Sequence, residues 1–391
     1  MRTVLFVGAG RVERRAIVRA KKQGLRVVVV DGDSAAPGVA EADIAKQADA
    51  GDVRAVLKAT ARLKLDGVLA LGRSEFVPAA AALAEARGLR GIGVETAHTL
   101  ESRIALRRGL AEAGVPQPHF AAVRTLLETR RAAAEVGFPA VLRPADAGAR
   151  RGVVQVASLD DVDAHLHQAL AASRSGEAIL EELVRGVPLT AVVAARGSEA
   201  LLLLLSGRHL YPPAVEGAQR DEAGRVAVHA VHALGLRDTV AVLQLTAHPE
   251  GQVHVADCAV VLPGTHVVDL VDAAVGVDVL DLRLRLALGD DVPDEVVRPR
   301  FSRPHALRFL TAGVDGLPVG RVGRVGPLDK VLAFPGVVQA DVYLQVGETI
   351  RPVRLDGDRR GYVIAVADTN LEALDRAEAA AGLVDVEVEP A

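Results

Sequence analysis

The chain has 391 residues, of which half are apolar and a quarter charged, and its formal net charge is -4. This composition supplies material for buried cores, and it excludes a disordered chain or a basic nucleic-acid-binding protein. At about 100–200 residues per domain, the length suggests about two to four domains. With one cysteine, Cys258, no internal disulfide is available, and the longest apolar run, residues 201–205, is too short to span a bilayer. We expect a soluble, cytoplasmic protein without membrane or nucleic-acid partners.

Residues 1–98 alternate between short apolar segments and segments with helical spacing. Residues 3–7 and 25–30 are runs rich in β-branched side chains, which are typical of parallel strands buried on both faces. The helical segment between them ends at Gly24, a residue type that favours helix termination. We therefore predict an α/β domain over residues 1–98, with a small doubly wound, Rossmann-like sheet.

The turn after the first strand carries part of a dinucleotide-binding pattern. Residues 8–13 read G-A-G-R-V-E, and Asp31 follows at the distance expected of a ribose-binding acid. Glu13, however, occupies the position of the third glycine, where its charge would oppose a pyrophosphate. The pattern therefore favours a tight strand–helix turn over the site of an NAD-dependent dehydrogenase.

The remainder of the chain has a different organisation. Residues 99–297 combine helices with strands that are mostly linked as hairpins, which predicts an α+β domain with a smaller subdomain at about residues 117–182. Residues 298–391 are rich in Gly, Pro and short strand-like segments and end in a helix and a strand. We expect this last segment to form a third, α+β domain.

A glycine-containing turn follows a predicted strand that ends on a basic residue. Residues 136–144 read V-G-F-P-A-V-L-R-P, and residues 147–153 read A-G-A-R-R-G-V. A cation at a strand end and the backbone amides of such a loop are groups that bind phosphates, and paired arginines can contact phosphate oxygens bidentately. The alternative is a surface hairpin with solvated arginines. The predicted phosphate-binding set is Arg143, Gly148, Arg150, Arg151 and Gly152.

These two strings resemble the nucleotide-binding strand and loop of the ATP-grasp superfamily, in which a lysine stands at the position of Arg143. Residues 102–107, S-R-I-A-L-R, resemble the superfamily's D-K-x-x-x-R helix, again with an arginine, Arg103, in place of the lysine. Only six of the 46 basic residues are lysines, so arginine at such positions also reflects the chain's general composition.

Residues 178–186, A-I-L-E-E-L-V-R-G, resemble the interdomain hinge of the same superfamily. The resemblance implies that ATP binds here, with adenine at the hinge backbone around Glu182 and Leu183 and with Arg103 and Arg143 at the phosphates. The preceding residue, Glu181, belongs to the same candidate set. The superfamily's ribose-binding glutamate is replaced by Pro188, which offers no acceptor side chain.

The resemblance further implies Mg²⁺ ions held by carboxylates on two late strands. The aligned positions here are Gln244 on the first strand and Asp257 on the second, while Ala259 and Val261 replace an Asn and an Arg. Mg²⁺ prefers carboxylate ligands, so this set is a weakened metal site. Asp257 and Gln244 are the remaining candidate ligands.

Residues 303–310 and 356–363 are similar to parts of the last domain of L-amino-acid ligases. The resemblance implies an ATP-grasp fold with a Rossmann-like N-terminal domain, a central ATP-grasp domain and a C-terminal α+β ligase-type domain. It also implies an ATP-dependent carboxylate–amine ligase that forms an acyl-phosphate, acts on a small carboxylate or amino acid, and assembles as a homodimer. The altered metal positions favour an alternative, a catalytically inactive ATP-grasp scaffold that binds a small molecule or a partner.

Overall fold

The computed structural model describes four stretches of the chain: residues 1–147, 152–313, 316–353 and 358–389. Two compact units can be distinguished. The first unit comprises residues 1–204, 215–268 and 277–298. The second unit comprises residues 205–214, 269–276 and 299–391. Among the helices of the described stretches, none combines the length and the apolar character needed to cross a bilayer.

The first unit begins with a parallel sheet in the order β3-β2-β1-β4, with helices along the chain between the strands. This is the doubly wound arrangement that the alternating pattern predicts. The side chains of β1 and β2 are almost entirely buried, because helices cover the sheet. The elements are β1 (Thr3–Val7), α1 (Arg11–Lys22), β2 (Arg26–Asp31), β3 (Ile44–Gln47), α2 (Val53–Thr60), β4 (Gly67–Leu69), α3 (Val77–Ala86) and α4 (Val94–Glu101).

The acids of the first strand–helix turn bind the protein's own backbone. Asp31 accepts hydrogen bonds from the amide of Ala9 at 2.7 Å and from the amide of Asp33 at 2.9 Å. Glu13 is 2% exposed and accepts from the amide of Gly72 at 2.6 Å. Burial raises the pKa of the Glu13 carboxyl, and these backbone donors partly offset that effect. Both acids therefore have structural roles, which agrees with a tight turn rather than a dinucleotide site.

An antiparallel sheet in the order β5-β8-β6-β7 follows, with two helices packed against it. Helix α6 begins with a capping box, in which Thr125 and Glu128 each bond the other's backbone amide. The elements of this segment are α5 (Arg103–Glu112), β5 (Phe120–Val123), α6 (Leu126–Val136), β6 (Ala140–Pro144), β7 (Val154–Val156), α7 (Leu159–Ala172) and β8 (Ala178–Glu182).

A second antiparallel sheet has the order β10-β9-β12-β13. The segment 267–288 is divided between two helices, because Gly276 has a left-handed φ of 72° and Asp278 caps the next helix. The elements are β9 (Val187–Arg196), β10 (Glu199–Gly207), β11 (Leu210–Tyr211), α8 (Gly217–Ala233), β12 (Thr239–Ala247), β13 (Val253–Ala259), α9 (Thr265–Val275), α10 (Val279–Leu288) and α11 (Asp294–Val297).

The second unit contains two antiparallel sheets, in the orders β11-β14-β18-β16 and β17-β15-β19. Its cores include the buried side chains of Leu307, Tyr362 and Ile364, and the apolar face of the last helix. The further elements are β14 (His305–Phe309), β15 (Gly320–Val325), α12 (Asp329–Leu332), β16 (Val337–Val342), β17 (Thr349–Ile350), β18 (Gly361–Val366), α13 (Asn370–Ala381) and β19 (Val386–Val388).

His305 makes the stability of the protein sensitive to acid. Its ring is 1% exposed and stacks on Tyr211 with centroids 5.4 Å apart, and burial lowers the pKa of the imidazole to about 4. The unfolded state therefore takes up a proton near the ordinary histidine pKa while the native state does not. Stability falls as the pH drops from about 6.5 to about 4, by up to about 3 kcal/mol from this group.

Urea unfolding at several pH values between these limits tests this expectation. We predict that His305→Asn loses part of the acid-induced decrease in the free energy of unfolding, whatever its stability at neutral pH. The control is His167→Asn, because His167 is exposed on α7. An unchanged pH slope in His305→Asn would show that the ring is not held neutral.

Candidate functional site

Helix α5 carries Arg103 and Arg107 one turn apart, and therefore on one face. Ser102 caps the helix by accepting a hydrogen bond from the amide of Ala105 at 3.3 Å. The amide of Arg103 donates to the carbonyl oxygen of Ala145 at 2.8 Å. The start of α5 is thus fixed to the chain directly after β6, which brings the two arginines to the end of that strand.

Glu181, on β8, lies between two guanidinium groups. Its Oε1 accepts a hydrogen bond from Arg107 Nε at 2.6 Å, and its Oε2 lies 3.0 Å from Arg143 Nε. Arg107 is 2% exposed and also donates to the carbonyl oxygens of Val255 at 2.6 Å and Ala256 at 2.8 Å. One buried carboxylate therefore joins α5, β6 and β8, and Arg107 extends the connection to β13.

Arg143 has an unused hydrogen-bond donor beside this carboxylate. Its Nε is close to Glu181 but is not aligned as a hydrogen bond, and it has no other acceptor in the described part of the chain. Burial, and then the charge of Arg103, lower the pKa of the Arg143 guanidinium to about 10. Arg143 is still charged at neutral pH, so it can receive an anionic acceptor.

Asp257, on β13, is the counter-ion of Arg103. Arg103 Nη1 lies 3.0 Å from Asp257 Oδ2, and the Asp257 side chain is 40% exposed. Burial alone would raise the pKa of the Asp257 carboxyl, but Arg103 and Arg143 outweigh it and hold that pKa below its usual value. The carboxylate is therefore ionised at neutral pH and already paired.

The five side chains of this cluster carry a surplus of positive charge. Three guanidinium groups face two carboxylates, which leaves one net positive charge in a partly buried cluster whose centre, Arg107 and Glu181, is almost fully buried. A buried charge without a counter-ion is costly, and an added anion removes that cost. We call the group formed by Arg103, Arg107, Arg143, Glu181 and Asp257 the arginine cluster.

The two predicted metal ligands, Asp257 and Gln244, are adjacent and offer one carboxylate and one amide oxygen. Gln244 lies directly opposite Asp257 in the sheet and accepts a hydrogen bond from Thr190 at 3.3 Å. Ala259 and Val261 supply no ligand atoms, and one Asp257 oxygen is bound to Arg103. Within the described stretches, no three His, Cys, Asp or Glu side chains are grouped so as to hold a metal ion. Mg²⁺ at nucleotide sites is usually bound by one or two carboxylates together with substrate phosphates, and Asp257 supplies one such carboxylate here.

In the hinge-like segment at the end of β8, backbone amides already donate hydrogen bonds to carbonyl oxygens of the chain itself. The amide of Glu182 donates to the carbonyl of His119 at 2.8 Å, and the amide of Leu183 donates to the carbonyl of Pro139 at 3.1 Å. The carbonyl of Glu182 accepts from the amide of Val184 at 3.1 Å and has a second lone pair. An adenine bound here would use that carbonyl or open the Leu183 hydrogen bond.

Three of the predicted phosphate-binding residues, Gly148, Arg150 and Arg151, lie outside the described residues. Gly152 is described and has a left-handed φ of 68°. A Cβ at this position would lie 2.9 Å from Pro144 Cγ, so the turn itself requires glycine. The backbone conformation and the lack of space at Gly152 therefore require glycine whether or not a ligand binds.

Sequence reasoning missed three members of the polar network. Arg107 is within the helix string, and its spacing of four residues from Arg103 already indicated the same helix face. Gln117 donates to the carbonyl of Arg107 at 2.8 Å, and Thr190 contacts Gln244. Nothing in the sequence near Gln117 or Thr190 indicates these contacts, because they form between distant segments.

Comparison with known proteins agrees with this architecture. The family model for the L-amino acid ligase C-terminal domain 2 matches residues 309–389. The chain is also similar to the crystal structure of an L-amino acid ligase from Bacillus licheniformis, with a TM-score of 0.83 and 16% identity. That likeness covers 100% of this chain and 99% of the other, so the whole fold is shared.

Two sequence relatives extend the comparison. An uncharacterised protein, y4rH, of Sinorhizobium fredii is 28% identical over 74% of this chain, and the match spans 61% of that protein's own length. A formate-dependent phosphoribosylglycinamide formyltransferase of Saccharolobus solfataricus is 22% identical over 97% of this chain and 96% of its own.

The fold, the order of the motifs and the matched C-terminal family model agree with one another. The chain has the ATP-grasp fold and is similar to carboxylate–amine ligases of the ATP-grasp superfamily. The resemblance drawn from the motifs is confirmed at this level.

The buried carboxylate of Glu181 should be essential for stability. Glu181→Gln leaves two desolvated guanidinium groups without a charged partner, so we expect a loss of about 3–5 kcal/mol in the free energy of unfolding. Glu177→Gln is the matched control, because Glu177 pairs at 2.8 Å with the exposed Arg124, and we expect a loss below about 1 kcal/mol. Urea unfolding measures both, and equal effects would contradict the central role of Glu181.

Proposed function

We propose that this protein is an ATP-dependent carboxylate–amine ligase that holds the nucleotide phosphates with arginine side chains. The main support is the surplus positive charge of the arginine cluster, in which burial and Arg103 lower the pKa of Arg143 to about 10. An ATP phosphate placed between Arg103 and Arg143 would neutralise that surplus. The similarity to an L-amino acid ligase over the whole chain supports the reaction class.

In a ligase of this kind, a carboxylate oxygen of the substrate attacks the terminal phosphorus of ATP. The bond to the bridging oxygen breaks, ADP leaves, and an acyl-phosphate forms. An amine then attacks the acyl carbon, phosphate leaves with the bonding electrons, and the amine loses a proton. Arginines contribute by fixing the phosphates bidentately and by stabilising their negative charge. The substrates would be a small carboxylate or amino acid and an amine.

Arg103 has a separate role in this proposal. In the structure it is paired with Asp257 at 3.0 Å, at the place where the resemblance implies a metal ion. Because the one carboxylate there, Asp257, is already paired with Arg103, the positive charge nearest the phosphates would come from Arg103 itself. On binding, an ATP phosphate would replace the Asp257 carboxylate as the anionic partner of the Arg103 guanidinium.

Calorimetric titration of ATP into the full chain tests nucleotide binding. We expect dissociation constants with Mg²⁺ and with EDTA that agree within about threefold, since arginines supply the charge. Arg143→Met should raise the dissociation constant by about tenfold or more, because the variant loses a charge-assisted contact.

Arg124→Met is the matched control, because Arg124 is an exposed arginine of the same segment and its guanidinium pairs with Glu177 at 2.8 Å. Its affinity for ATP should be unchanged. Binding that requires Mg²⁺, or no binding under either condition, would contradict an arginine-held nucleotide.

Turnover is tested separately by measuring ADP release from ATP in the presence of mixed amino acids and small carboxylates. Release that depends on both a carboxylate and an amine is the expected result. ATP binding without ADP release from any such mixture would contradict the ligase and would leave a nucleotide-binding scaffold.

A further inference from the structure

Arg283, on α10, is a buried guanidinium in a different part of the first unit. It is 7% exposed, and it donates through Nη1 to the hydroxyl of Thr239 and through Nη2 to the carbonyl of Ala70 at 3.2 Å. Its Nε–H is buried and has no acceptor in the described part of the chain. The Arg283 side chain thus has one hydrogen-bond donor, its Nε–H, that no described protein atom accepts.

The charge of Arg283 also lacks a partner. In the arginine cluster each guanidinium lies near Glu181 or Asp257, whereas no described acid forms an ion pair with Arg283. Burial alone lowers the pKa of its guanidinium to about 10. Proteins normally pair a buried charge, because an isolated one is strongly unfavourable.

A cavity of about 40 Å³ adjoins this side chain. Its apolar wall comes from β4 and α3, and its polar lining includes Thr239, Arg283, Arg90 and Asp238. One water needs about 10–15 Å³ of such space, so the cavity has room for a small ion with a few waters.

The remaining charged groups of the lining neutralise each other. Arg90 Nη1 lies 3.1 Å from Asp238 Oδ2, and Asp238 Oδ1 accepts from the amide of Gly197 at 3.2 Å. Asp238 is held with a left-handed φ of 47°, which keeps its carboxylate in this pair. One positive charge, that of Arg283, is left for the cavity as a whole.

We propose that this cavity binds a small monovalent anion such as chloride, held by Arg283 and by the hydroxyl of Thr239. The Thr239 oxygen accepts a hydrogen bond from Arg283, so its proton can be donated to the ion. The ion would connect three elements. These are β12, which carries Thr239, α10, which carries Arg283, and β4, which ends next to Ala70. This site is independent of the proposed nucleotide chemistry.

Thermal unfolding of the full chain in chloride, with gluconate keeping the ionic strength constant, tests the proposal. Between about 5 and about 200 mM chloride, the wild-type midpoint should rise by about 1–3 °C, because an ion bound only to the native state stabilises it. Arg283→Met should lose this rise. Arg285→Met, on the same helix but paired with Asp281 at 2.7 Å, should keep it.

Thr239→Val provides a second variant that retains the guanidinium and removes only one donor, and its chloride-dependent rise should be smaller than that of the wild type. Crystals grown in bromide should show anomalous density beside the Arg283 guanidinium. A chloride effect equal in wild type and Arg283→Met, no chloride effect in the wild type, or absence of bromide at Arg283 would overturn the proposal.

Discussion

The carboxylate of Glu181 accepts a hydrogen bond from Arg107 and lies 3.0 Å from Arg143 Nε, in a place that solvent scarcely reaches. Because a lone buried arginine is costly, the position of Arg107 depends on this carboxylate, and Arg107 in turn holds the carbonyl oxygens of Val255 and Ala256. Those carbonyls belong to β13, the strand that carries Asp257. Arg107 therefore connects α5 to β8 through this ion pair and to β13 through these two carbonyls.

These connections position the charged side chains of the candidate site. Arg103 follows Ser102 at the start of α5, so fixing the helix against β13 brings its guanidinium to Asp257. Arg143 lies beside the same pair and is left with an unused Nε–H. Within this arrangement Asp257 serves as an internal anion that a phosphate can replace. A guanidinium suits that exchange because its planar set of donors matches phosphate oxygens as well as carboxylate oxygens.

Much of the fold is predictable from local pattern. The parallel sheet follows from β-branched runs such as β2, and the order of the motifs singles out Arg103 and Arg143 as candidate phosphate-binding residues. Contacts between distant segments were not predictable. The hinge amide of Leu183 bonds to Pro139, whose carbonyl reaches it only after β6 and β8 have paired.

The helix that carries the string 102–107 forms where the motif indicates it. It is α5, which runs from Arg103 to Glu112, and Ser102, with an extended backbone conformation, separates it from α4. Arg283 shows what such a pattern does not reveal. The sequence of α10 places it among leucines without revealing that its guanidinium lies under β4 and Thr239, with a cavity beside it.

The affinity of Asp257→Asn for ATP tests the account most directly, because the two roles of Asp257 predict opposite results. If Asp257 is the resting counter-ion of Arg103, its neutralisation releases the guanidinium and removes repulsion of the phosphates, so ATP should bind more tightly, with or without Mg²⁺. If Asp257 is instead a metal ligand, the variant should bind MgATP more weakly. Weakened, Mg²⁺-dependent binding would contradict an arginine-held nucleotide site.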